Sequence, residues 1–176
     1  MSKHQHPIRV RWGDCDPAGI AYTAHFFDWF HQAMESWFDT VLQHPYADLI
    51  LKQRVGFPTV HTEADFRLPC RLGEELVVEL ELGELGKSSF RLDFTVRSAS
   101  STSRLTPGPP GSVGRDSSTG NLCVESASVA LRPRIKATGT TTCVVVRLGE
   151  VISKTPIPPD LRQRMAAFMQ SEEPHA

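Results

Sequence analysis

The sequence predicts a single α+β domain in which one very apolar helix packs on an antiparallel sheet. Two observations carry that prediction. Phe26, Phe30, Ala33, Trp37 and Val41 recur at three- and four-residue steps, and Phe27, Met34 and Phe38 widen the stripe, as in a helix buried along much of its surface. Downstream, Leu76, Val78, Leu80 and Leu82, and then Phe90, Leu92, Phe94 and Val96, alternate with polar residues, the period of strands with one buried and one solvated face. A chain of 176 residues is the right size for one such domain, assigned here to 1–176.

The elements follow in order. "IRVRW", 8 to 12, alternates apolar and basic residues and reads as a strand, and "DPAG" then breaks it with Pro17 and Gly19. The apolar stripe predicts a helix over roughly 24 to 42, ended by "QHPYADL", with a shorter helical piece near 46 to 54. "TVHTEADFRL", "EELVVELELGEL" and "SSFRLDFTVRS" predict three strands, the last two joined as a hairpin through "GELGKSS". The stretch 98 to 121 is rich in Ser, Gly and Pro and reads as a flexible loop. "LCVESASVALRPRI" returns to strand character, and "TTCVVVRLGEVI" is a further β-branched run beyond "KATGT", either a separate strand or a continuation. "IPPDLRQRMAAFMQ" opens with prolines and Asp160, a helix start. A sheet wrapped around the apolar helix buries both elements with least exposed surface.

Composition narrows the classes of function. Nineteen Lys and Arg against twenty Asp and Glu give a formal net charge of -1, so no global field attracts nucleic acid or an acidic membrane surface. The four cysteines, Cys15, Cys70, Cys123 and Cys143, form no CxxC pair and no Cys/His spacing suited to zinc, which predicts free thiols and no metal site. The beginning "MSKHQHPIRVRWG" lacks the apolar run of a signal peptide, and no window approaches the ~18 apolar residues of a membrane span, so a cytoplasmic location is expected.

The residues that bear on chemistry lie in "RWGDCDPAGIAYTAHFFDWF", 11 to 30, where Asp14 and Asp16 bracket a cysteine just before the turn. An Asp ahead of Pro and Gly can serve simply as a turn or cap residue. At a strand-to-helix junction it can also attack a carbonyl or activate water, with helix-start N–H groups beside it to stabilise an oxyanion.

"GDCDPAGIAYTAHFFDWFHQAMESWF" resembles the N-terminal motif of the 4-hydroxybenzoyl-CoA thioesterase family, acyl-CoA thioesterases of the hot-dog fold, in which a curved antiparallel sheet wraps one long central helix. The likeness is strongest over 8 to 42 and extends more weakly through "GFPTVHTEADFRLPCRLGEELVVELEL" and "GKSSFRLDFTV". It implies hydrolysis of an aromatic or short-to-medium acyl-CoA thioester with Asp16 as nucleophile or general base, Asp14 being its structural neighbour. It implies no cofactor, CoA being part of the substrate, and assembly as a homodimer or homotetramer.

The same resemblance implies an oxyanion donor at the backbone N–H around Thr23. His25, near the helix start, could polarise the carbonyl, position water or cap the helix. Some hot-dog thioesterases use a carboxylate of the central helix instead, for which Glu35 is available. Lys87, Arg91 and Arg71 are the cations offered to the CoA phosphates, a thin set that also suits an acyl carrier protein. Tyr22 and Phe57, with Trp12 and Phe26, could wall an acyl pocket or belong to the core. An enoyl-CoA hydratase or dehydratase of the same fold, and a non-catalytic acyl-thioester binding protein, are the competing functions.

Overall fold

The computed structural model describes residues 2–99 and 134–171. The loop expected over 98 to 121 and the strand expected from 122 lie, apart from their outermost residues, outside the described residues. The elements are β1 (His4–Arg9), a 3-10 turn (Trp12–Asp14), α1 (Thr23–Thr40), α2 (Tyr46–Leu51), β2 (Val55–Gly56), β3 (Thr59–Phe66), β4 (Glu75–Leu85), β5 (Ser89–Ser98), β6 (Ile135–Val144), β7 (Val146–Arg147), β8 (Ser153–Lys154) and α3 (Pro159–Gln170). Five strands form one antiparallel sheet in the order β1-β4-β5-β6-β3, and β2, β7 and β8 form a small second sheet.

The helical stripe does what its spacing predicts except that Phe27 is only half-buried and Val41, the C-cap of α1, is exposed. Phe26, Trp29, Phe30, Ala33, Met34, Trp37 and Phe38 are all buried along α1. They meet the inward residues of β4 and β5, where Leu76, Val78, Leu80, Leu82, Phe90, Leu92, Phe94 and Val96 are at most 3% exposed. Phe30 stacks on Phe94 with ring centroids 4.5 Å apart. α3 closes the far end, its Phe168 ring 5.4 Å from Trp37. The outer face of the sheet is charged, with Arg97 3.0 Å from Glu79 and Lys3 3.0 Å from Glu81. No helix among the described residues is long and apolar enough to cross a membrane.

The structure departs from the sequence reading at β1 and decides between the two readings open at β6 and β7. β1 starts at His4 and ends at Arg9, and Trp12 lies in the 3-10 turn at 83% exposure. The reason is that His4, His6 and Ile8 share the inward face of β1, so two of its three inward positions carry a half-buried histidine. "KATGT" is no break: β6 runs unbroken from Ile135 to Val144, so "TTCV" continues that strand while Val146–Arg147 forms β7. Gly139 fits there because the inner side of β6 at this point is occupied by the Phe30 ring. A β-carbon on Gly139 would lie 2.6 Å from Phe30 Cε2 and 2.7 Å from the Glu63 carbonyl. Gly139→Ala is therefore expected to cost about 1–3 kcal/mol in urea unfolding, the range for overpacking a well-filled core.

The two histidines of β1 make stability depend on pH. His4 Nε2 is 3.1 Å from Ser36 Oγ, and burial holds both His4 and His6 below the ordinary 6.5, helped at His4 by the neighbouring His6. A histidine with a lowered folded-state pKa resists protonation in the fold but not in the unfolded chain. Stability is therefore full above 6.5 and is lost as pH falls through the lowered folded values. Melting temperatures measured from about pH 7 to about pH 5 should fall, and the His4→Gln/His6→Gln double variant should show a shallower fall.

Candidate active site

The Asp16 loop is built by a miniature hairpin. Asp16 N–H donates to the Ile20 carbonyl at 2.9 Å, Gly19 N–H to the Asp16 carbonyl at 2.9 Å, and Tyr22 N–H to the Asp14 carbonyl at 2.8 Å. Asp-Pro-Ala-Gly over 16 to 19 has the order favoured in a type I turn, and Gly19 sits at φ 74°, a left-handed conformation that costs residues with a β-carbon about 1–2 kcal/mol. The hairpin returns the chain directly into α1, so the carboxylate and the helix N-terminus are set by one rigid turn. Ala21 N–H donates to the Cys70 carbonyl at 2.8 Å, and Ile20 bridges Arg71, tying this loop to the segment between β3 and β4.

Asp16 is half-buried, and its Oδ1 accepts the Ala18 N–H at 2.8 Å. Among the described residues its other oxygen takes no donor, which leaves that oxygen available to a carbonyl carbon or a water. Asp14 has the structural part expected of it: Oδ2 accepts the Arg11 N–H at 2.7 Å, and Oδ1 lies 4.0 Å from His25 Nδ1.

The start of α1 is open. Its N-cap is Tyr22, with no side-chain cap bond and no acidic residue in the first turn. His25 N–H turns back to the Tyr22 carbonyl at 3.0 Å, while the Thr23 and Ala24 N–H groups meet no acceptor among the described residues. Free donors at the positive end of a helix suit a developing oxyanion. Thr23 borders a cavity of about 430 Å³ walled also by Ile20, Ala21, Phe26, Phe66 and Pro69, with Arg67 its one charged residue. Phe66 was not singled out in the sequence; it is 46% exposed and packs edge-on against Phe26 at 4.9 Å.

The other predicted site residues separate into near and far. Tyr22 is 55% exposed beside the loop, and Arg71 lies on the adjoining segment. His25 is engaged elsewhere: its Nδ1 is 3.1 Å from Asp28 Oδ2, and it faces a different cavity, with Asp14 and Trp29. Glu35 lies 3.2 Å from His31 on the exposed side of α1. Phe57 is core and not pocket wall, 5% exposed with its ring 4.9 Å from Phe38 and 6.0 Å from Phe90. Lys87 and Arg91 stand at the opposite end of the eleven-residue β4, about 30 Å from Glu75 at the rise of a β-strand. Arg91 is already paired, 2.7 Å from Glu84 and 3.1 Å from Asp93.

Two thiols are shielded. Burial pushes Cys70 up to about 11, with Glu74 adding to the shift, and pushes Cys143 up to about 11, so neither is a ready nucleophile near neutral pH. Among the described residues no group of three or more His, Cys, Asp or Glu could hold a metal ion.

A family model described as the thioesterase-like superfamily matches residues 10–165, which takes in α1, the five-stranded sheet apart from β1, and the Asp16 loop. The chain belongs to the thioesterase-like superfamily.

Its relatives within the superfamily include a 1,4-dihydroxy-2-naphthoyl-CoA hydrolase from Prochlorococcus marinus, 34% identical over 95 residues, or 50% of this chain and 62% of that protein. Another, from Synechococcus elongatus and carrying the same name, is 32% identical over 97 residues, 53% of this chain and 69% of that protein. The chain thus spans less than two thirds of the first relative's length. Among solved structures, a 1,4-dihydroxy-2-naphthoyl-CoA thioesterase from Synechocystis superimposes with a TM-score of 0.68 at 22% identity, over 93% of this chain and 96% of that one. The 4-hydroxybenzoyl-CoA thioesterase of Pseudomonas sp. strain CBS-3 gives 0.68 at 20% identity, over 93% and 99%. At these identities the structural likeness establishes the fold, which is the hot-dog fold.

Proposed function

We propose that this chain is an acyl-CoA thioesterase acting on an aromatic acyl group, with Asp16 as the reacting carboxylate and the Thr23 N–H as oxyanion donor. The observation that carries the reading is the hairpin that leads, within seven residues, from the half-buried Asp16 carboxylate, one of whose oxygens takes no donor among the described residues, to an uncapped helix start whose first residue, Thr23, lines a largely apolar cavity. In hydrolysis the acyl carbon gains an oxygen from water, the C–S bond breaks, and CoA leaves as a thiolate that takes up a proton. Asp16 serves either by attacking the acyl carbon itself, with water then cleaving the mixed anhydride, or by removing a proton from the attacking water. In both routes charge builds on the former carbonyl oxygen, which the α1 N–H groups meet. The aromatic preference is supported by the Phe26 and Phe66 rings at the cavity and by the names of the relatives, whose substrates are dihydroxynaphthoyl thioesters.

β3 supports self-association in the same reading. It is an edge strand whose residues are almost all exposed, Val60 at 61% among them, and a long open edge invites pairing with a second copy.

Thiol release from a panel of 4-hydroxybenzoyl-, 1,4-dihydroxy-2-naphthoyl-, hexanoyl- and crotonyl-CoA tests the substrate class. We expect kcat/KM for the aromatic thioesters to exceed that for hexanoyl-CoA by about tenfold or more. Preference for hexanoyl-CoA would overturn the aromatic assignment, and hydration of crotonyl-CoA without thiol release would favour a hydratase.

A further inference from the structure

His25 stands at the third position of α1, and its ring does not line the cavity that Thr23 borders. It opens instead on a second cavity of about 360 Å³ whose other walls are Asp14, Asp28, Trp29, His31 and Gln32. One ring nitrogen meets two carboxylates there. Nδ1 is 3.1 Å from Asp28 Oδ2 and 4.0 Å from Asp14 Oδ1. A carboxylate accepts hydrogen bonds and donates none, so Nδ1 carries a hydrogen whether the ring is neutral or charged. The other imidazole on this cavity, His31, has its Nε2 3.2 Å from Glu35 Oε1 and makes no ion pair with Asp14 or Asp28.

The two carboxylates belong to different elements. Asp28 lies on α1 itself, about one turn beyond His25, and fixes how the ring is turned. Asp14 ends the 3-10 turn and carries the Asp16 hairpin: its Oδ2 accepts the Arg11 N–H at 2.7 Å and its carbonyl accepts the Tyr22 N–H at 2.8 Å. Among the described residues, the contact between His25 and Asp14 is the one polar side-chain link from loop 12–20 to α1. The backbone of His25 adds to it, since its N–H donates to the Tyr22 carbonyl at 3.0 Å. Attack on a thioester needs the Asp16 carboxylate and the Thr23 N–H at one carbonyl, and a displacement of about 1 Å can cost about 10²-fold in rate.

We propose that His25 is a positioning residue: through Asp14 it clamps the Asp16 hairpin to the first turn of α1, and so fixes the carboxylate relative to the oxyanion donors. The inference rests on the thioesterase reading. The ring acts through Asp14 and not on the acyl group, because Nδ1 is taken up by carboxylates in a cavity apart from the one at Thr23. What the position requires is therefore a hydrogen-bond donor at the place of Nδ1, and not a ring that takes up or releases a proton. Asn supplies such a donor, since its Nδ2 is as many bonds from Cβ as imidazole Nδ1.

The test uses the full chain with His25→Ala, His25→Asn, Asp14→Asn and the His25→Ala/Asp14→Asn double variant, assayed on an aromatic acyl-CoA. Asp14→Asn keeps an acceptor oxygen for the Arg11 N–H while removing the charge that faces His25. We expect kcat to fall about tenfold in His25→Ala with KM within about twofold of wild type, and His25→Asn to recover kcat to within about threefold. The double variant should be no more than about twofold slower than the poorer single variant, because both substitutions break the same link. Three results overturn the clamp: kcat of His25→Ala within about twofold of wild type, equal losses in His25→Ala and His25→Asn, or losses that multiply in the double variant. The second readout is hydrogen exchange at the Gly19 and Tyr22 N–H groups, which close the hairpin and need no turnover to be followed. His25→Ala should speed it about tenfold and leave β4 and β5 unchanged. Should the wild type hydrolyse no aromatic acyl-CoA, the thioesterase reading fails and exchange alone judges the clamp. Faster exchange confined to the hairpin upholds it; unchanged exchange, or an equal rise in β4 and β5, overturns it.

Discussion

Asp16→Asn is expected to lower kcat on an aromatic acyl-CoA by about 10³-fold while leaving KM and the melting temperature near their wild-type values. Asn keeps an oxygen in the place of Oδ1, so the 2.8 Å bond from the Ala18 N–H and with it the turn can survive the substitution. What is lost is the negative charge and the basic lone pair, on which attack at the acyl carbon and deprotonation of water both depend. Steady-state kinetics beside a thermal melt measures this. A variant that folds and hydrolyses within a few-fold of wild type would remove Asp16 from the chemistry.

The second large effect is expected at the oxyanion end. Thr23 is the first residue of α1, and Tyr22 before it has φ -68° and ψ 137°, the extended backbone that a following proline requires. Thr23→Pro therefore deletes one N–H at a position where helices accept proline readily. Removal of an oxyanion donor costs about 10²–10³-fold in kcat, and that loss is expected with little change in melting temperature. Thr23→Ala, which keeps the N–H and removes only the hydroxyl, is expected to retain activity within a few-fold. A loss shared equally by both variants would assign the effect to the side chain instead.

The core of the fold was legible because its signals are local and periodic. The α1 stripe and the alternation of β4 and β5 each repeat an apolar residue at the spacing of their element, and each buries the residues so marked apart from Phe27, which is half-buried, and Val41, which is exposed past the end of α1. β1 was read late because His4 and His6 occupy inward positions where an apolar residue would have revealed the period. Gly139 disguised the middle of β6, since its reason lies in a ring contributed by α1 more than a hundred residues earlier.

The site divides along the same line. The turn at Asp16 was legible because Asp, Pro and Gly act on their own backbone within four residues. Phe57 could not be placed from its neighbours in sequence, because whether an aromatic walls a cavity or fills the core depends on Phe38 and Phe90 from other elements. Lys87 and Arg91 looked like a basic pair by proximity, yet strand alternation sets Arg91 beside Asp93 and across the sheet from Glu84.

The most direct measurement is a time course of free CoA thiol from an aromatic acyl-CoA at substrate well above enzyme, with the wild-type chain. The proposed function predicts linear release over many turnovers, far above the rate without protein. Release no faster than that background, from a folded protein and across several aromatic acyl groups, would contradict it.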